Sequence, residues 1–138
     1  MSKSCSIARL SINTLKHEIA KTKWAIVPVD PKEVPDKKRI SQLEEFFNFP
    51  NSDENFRTFV LKLLEDVLAL DAGTIELVKN AGGDLSEMYY IDGSTIKPSV
   101  DIHGNLTEPA YFQYMPLNNT ASPDAEFDRD ELVYIMAN

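Results

Sequence analysis

The sequence predicts an α+β fold, with N-terminal helices packed on a small, mostly antiparallel sheet. Three observations predict it. Apolar residues recur at helical spacing as far as Asp71, and from Thr74 they alternate. Turn-forming clusters then follow in quick succession, at Asn80–Asp84, Asp92-Gly93 and Asp101–Asn105. Helices first and short strands afterwards is the order of an α+β chain, and 138 residues suffice for one ordinary hydrophobic core.

The first helix is predicted over residues 6–22, where Ala8, Ile12, Leu15 and Ile19 make one apolar stripe. Ser4 or Ser6 is its expected N-cap, and Lys16, Lys21 and Lys23 suit the negative end of the helix dipole. Trp24-Ala25-Ile26-Val27-Pro28-Val29 reads as a short strand, with Pro28 pointing to an edge or a strand end. Prolines at 28, 31 and 35 make a loop of the next stretch. A second helix is expected from Lys37 to Asn48, with Ile40, Leu43 and Phe47 on one side.

The strongest periodicity lies in a third helix, predicted over residues 52–71. Phe56, Phe59, Val60, Leu63, Leu64, Val67 and Leu70 form a wide stripe, with Arg57, Lys62, Glu65 and Asp66 on the other faces. Ser52 or Asp53 is the expected cap, and Gly73 the expected left-handed residue at the far end. Strands are predicted over residues 74–79, 85–91, 110–115 and 132–136, with a short extended piece at 95–98. The polar stretch from Pro116 to Asp124, including Asn118-Asn119-Thr120, reads as a loop.

Charge is divided unevenly. Residues 1–50 hold nine Lys/Arg against six Asp/Glu, whereas residues 51–138 hold five against sixteen. The acidic second half argues against tight wrapping of nucleic acid there, because phosphates are neutralised by Lys and Arg. It suits a solvated surface or contact with a basic partner. No apolar run is long enough to suggest a membrane span.

Residues able to do chemistry are sparse. Cys5 is the single cysteine, so neither an internal disulfide nor a cysteine zinc cage can form. His17 sits on the first helix and His103 in a turn whose Ile102 breaks the alternation of calcium-loop ligands. Asp128, Asp130 and Glu131 could hold a divalent cation, although a charged turn before the last strand accounts for them more simply. Lys16, Lys21, Lys23 and Trp24 imitate a nucleic-acid patch, but a helix end and a core tryptophan account for them more simply. No phosphate-binding glycine loop and no nucleophile elbow occur.

The stretch from Phe59 to Pro98 resembles tailed-bacteriophage portal proteins. A long apolar helix with Phe59 and Leu63 ends at Asp71-Ala72-Gly73 and runs straight into a strand with Ile75-Glu76. A hairpin follows, then Asp92-Gly93-Ser94-Thr95-Ile96-Lys97-Pro98, similar to the family's aspartate, small residue, Thr-Ile-basic-Pro turn. Pro109–Tyr114 and Phe127–Ile135 are similar to later portal strands. The resemblance implies a wing-region segment, one domain over residues 1–138, from a longer subunit. It also implies a non-catalytic virion protein without cofactor or metal, assembled in the host cytoplasm. Its expected partners are other portal subunits in a ring, usually twelve-fold, with terminase, capsid and head–tail connector proteins, and DNA in the channel. Two other readings stay open: an acidic protein-binding module, and a metal-dependent enzyme fragment built on Asp128, Asp130 and Glu131.

Overall fold

The computed structural model describes residues 3–32, 34–117 and 121–136, with the backbone alone at residues 3–5. The Cys5 side chain and Asn118-Asn119-Thr120 therefore lie outside the described residues. The fold is α+β, with three helices and two antiparallel three-stranded sheets among the described residues. It divides into two compact units, Met1–Leu61 and Lys62–Asn138.

In the first unit, α1 spans Lys3–Lys21 and α2 spans Lys37–Asn48. Because α1 begins at Lys3, Ser4 and Ser6 lie inside the helix and do not cap it. Its predicted stripe is largely uncovered: Leu15 and Ile19 keep 48% and 42% of their surface exposed, and Ala8 is exposed too. The last turn of α1, Ile19 to Lys21, borders the groove described below, and of the earlier turns Ile12, Asn13 and Lys16 are half-buried. Asp36 caps α2, its Oδ1 accepting from the Lys38 N–H at 3.0 Å and the Arg39 N–H at 3.3 Å. Trp24 meets Phe56 at 5.2 Å and Phe47 at 6.3 Å between ring centroids, both edge-to-face.

The predicted strand at residues 24–29 is not a strand. The chain runs without turn or bend from Lys23 to Pro28, yet no backbone hydrogen bond involves residues 23–29 among the described residues. A strand needs a neighbour, and this unit supplies none. Pro28 also lacks an N–H to offer one.

Helix α3 covers Phe56–Leu70, starting later than predicted. The buried Asn51 side chain accepts from the Asp53 and Glu54 N–H groups, folding residues 51–54 into a turn. Asn55 is then the cap, accepting from the Thr58 N–H at 3.0 Å, in place of Ser52 or Asp53. The helix ends on Asp71, whose φ is 57°. Gly73 is thus not the left-handed residue. Asp tolerates that conformation through local hydrogen bonding, and Gly73 is left to serve packing.

The second unit holds β1 (Gly73–Lys79), β2 (Leu85–Ile91), β3 (Ile96–Val100), β4 (Leu106–Gln113), β5 (Ala125–Phe127) and β6 (Leu132–Ile135). One sheet has the order β2-β1-β6 and the other β3-β4-β5, antiparallel throughout. Strand β4 starts earlier than predicted and includes the cis Glu108–Pro109 bond, and β5 falls outside every predicted strand. The β1–β2 turn is made by Asn80, whose Oδ1 accepts from the Gly82 and Asp84 N–H groups, and by Gly83 at φ 86°. Ile96, Ala110, Tyr111, Phe127 and Leu132 form the core, and Tyr134 stacks on Tyr111 with ring centroids 5.9 Å apart.

Candidate functional site

The family-like residues gather where α3 hands over to the first sheet. On β1, the central strand, Gly73, Thr74 and Ile75 are buried, and Glu76 is half-buried between Tyr89 and Leu132 of the flanking strands. Gly73, also buried, faces the end of α3 so closely that a Cβ there would stand 2.4 Å from Val67 Cγ2 and 3.0 Å from Leu63 Cδ1. Gly73 and Leu63 are therefore a contact pair that brings helix and strand within backbone range. Phe59, at 2% exposure, belongs to the first unit.

The chain then turns at Asp92. Its Oδ1 accepts from the Ser94 N–H at 2.9 Å and the Ser94 hydroxyl at 2.6 Å, and its carbonyl accepts from the Thr95 hydroxyl at 2.7 Å. These bonds wind Gly93–Thr95 into one tight helical turn. Gly93 is pressed on the helix–strand junction: a Cβ built on it would lie 1.7 Å from the Ala72 carbonyl oxygen, which no side chain permits. Ile96 and Thr95 are buried, while Pro98 is exposed on β3.

Asp66 joins the parts, and sequence reasoning missed it. It is 8% exposed, and its Oδ2 accepts from the Tyr90 hydroxyl and from the Gly93 N–H, each at 2.8 Å. A carboxylate taking two donors in a buried place ties α3, β2 and the Asp92 turn to one atom. Burial, and then the Asp66 carboxylate beside it, push the Tyr90 phenol well above its ordinary range. One signal was available in the sequence. Asp66 lies seven residues after Phe59, and seven helical steps return a side chain to within about 20° of the same face.

The acidic stretch near the end is a turn. The Glu131 carboxylate accepts from the Asp128 N–H at 2.9 Å, Asp130 pairs with Lys79, and Arg129 pairs with Glu108 and donates to the Leu106 carbonyl. The Lys79 partner holds the Asp130 carboxyl below its usual range. Among the described residues no group of three or more His, Cys, Asp or Glu is placed to hold a metal ion. His103 is exposed in a turn closed by Asp101, and His17 is exposed on α1 with Nδ1 2.7 Å from the Asn13 carbonyl oxygen.

Lys21, Lys23, Trp24, Phe49, Phe56 and Arg57 border an open groove of about 930 Å³ in the first unit. Trp24, Phe49 and Phe56 share its lining with aliphatic and polar side chains, and its charge is mixed, because Glu44 joins the basic groups. No helix among the described residues is long and apolar enough to cross a membrane. No family model matches the chain, and no curated protein matches it.

Proposed function

We propose that the chain is a wing-region segment of a portal subunit, a structural part of the ring through which phage DNA enters and leaves the capsid. The observation that carries the reading is how the portal-like signature is used. Gly73, Gly93, Thr95 and Ile96 are buried, and Asp71 and Asp92 shape the turns beside them, so the signature is spent on joining a helix to two sheets. Residues spent on joining scaffold elements are expected in a part whose task is mechanical. The reading gives the chain no turnover of its own, and gives it copies of itself, terminase, capsid and connector proteins as neighbours.

Native mass spectrometry and negative-stain microscopy of the full gene product test it. A closed ring, of twelve copies in the usual family pattern, is the expected outcome. A monomer at every concentration would overturn it. The acidic second unit, with fourteen Asp/Glu against four Lys/Arg, favours one other reading, a module that binds a basic protein. That reading predicts a salt-sensitive complex with a basic partner and no ring.

A further inference from the structure

A helix end and a core tryptophan do not account for the basic and aromatic side chains around the first unit's groove. Lys23 lies beyond α1, which ends at Lys21, so the helix dipole does not place it there. Trp24 keeps 41% of its surface exposed and is not a core residue. Arg57 is the second residue of α3, at the positive end of that dipole, where a cation is disfavoured. Lys23 and Arg57 make no ion pair among the described residues. Lys21 pairs with Glu18, but both side chains are exposed, and so weak a pair leaves the lysine able to change partner. Phe49 keeps 69% of its surface exposed and meets no other ring among the described residues. It stands next to the fully buried Pro50, so its ring projects from a fixed backbone.

We infer that this groove binds single-stranded nucleic acid, with bases stacked on Phe49 and Trp24 and phosphates on Lys21, Lys23 and Arg57. The groove is open and holds about 930 Å³, so a strand can cross it. Trp24 is steadied by edge-to-face contacts with Phe47 and Phe56, which fix one side of the stacking surface. A single strand offers flat base faces and phosphates together, whereas a duplex keeps its base faces inside the stack. An acidic peptide would satisfy the cations, but flat exposed rings beside them suit a ligand that is itself flat. Glu44 is the one acid bordering the groove, and it opposes phosphate binding without outnumbering the three cations. Carboxylates farther than about 8 Å away are largely screened at physiological salt. The inference goes beyond the portal reading and does not rest on it, because ring formation needs no free strand.

Trp24 is the only tryptophan, so its fluorescence reads the groove directly. Oligothymidylate of about twelve nucleotides, titrated into the chain at about 50 mM salt, should quench that emission. The anisotropy of an end-labelled strand should rise over the same concentrations. Three phosphate contacts give the logarithm of the binding constant a slope of about −2 against the logarithm of salt. Phe49→Ala should weaken binding about tenfold and leave that slope unchanged, because it removes stacking and no charge. Lys23→Ala and Arg57→Ala should each reduce the slope by about 0.7, and Glu44→Gln should tighten binding. All four side chains are exposed, so the circular dichroism of each variant should match the wild type. No quenching up to about 100 μM strand would overturn the inference. Equal binding of a duplex of the same length would overturn it, as would an unchanged affinity in Phe49→Ala. Equal binding of polyglutamate of matching charge would reassign the groove to acidic peptides and overturn it too. Ring formation by the full gene product is read separately, so the two can fail independently.

Discussion

Asp66 shows how much one buried carboxylate can organise. Replacing it by Ala strips the acceptor from the buried Gly93 N–H and from Tyr90, and should cost about 2–3 kcal/mol in urea unfolding. Asp66→Asn keeps an acceptor oxygen and should cost about half as much; equal losses would mean that the charge, and not the acceptor, matters. The same contact sets a pH dependence. The folded state raises the Tyr90 phenol, so its contribution is complete below the ordinary phenol value of about 10 and is lost as pH rises towards the folded value. Above that pH the melting temperature of the wild type should fall more steeply than that of Tyr90→Phe. Gly93→Ala must drive a methyl into the Ala72 carbonyl, and expression should give no cooperatively folded protein. Phe59 and Leu63 were legible because helical spacing alone marks a buried face. Asp66 was legible only through its helical spacing from Phe59, since its partners lie 24 and 27 residues away and a single sequence assigns Asp to the wet side. The glycines were legible as glycines, but whether one serves a turn or a close approach depends on a strand that spacing cannot place.

Elements with complete local signals came out near their predicted bounds. Helix α2 matches residue for residue, because Asp36 caps it and Phe49-Pro50 ends it locally. Asp36→Ala should lower stability by about 1 kcal/mol, visible as lost helicity before global unfolding if the first unit is the weaker one. Strands β1 and β2 were equally readable, with Asn80 and Gly83 fixing their turn. The failures share a cause. Trp24–Val29 has strand composition but no ladder, and β5 has a ladder but only three residues of signal. Pairing is a property of two segments, and composition describes one. Two sheets in place of one also escaped prediction, since nothing between Ile91 and Ile96 except the Asp92 turn marks the change of partner.

At the scale of the whole molecule the charge is lopsided. Fourteen carboxylates against four basic groups in the second unit repel one another, so raising salt from about 10 to 150 mM should raise the melting temperature. A fall would instead show that exposed pairs such as Lys79–Asp130 and Arg129–Glu108 outweigh the repulsion. The portal reading concerns copies meeting, and this charge division gives such meetings a direction, first unit to second. The order β2-β1-β6 has a further consequence, which belongs to synthesis. Strand β1 is central, yet one of its neighbours is the last strand described, and residues 80–131 must be made in between. At about 5–20 residues per second that leaves several seconds in which β1 can pair only with β2. A nascent chain stopped at Glu131 should therefore present β1 as an open edge and aggregate, and the addition of residues 132–135 should end that exposure.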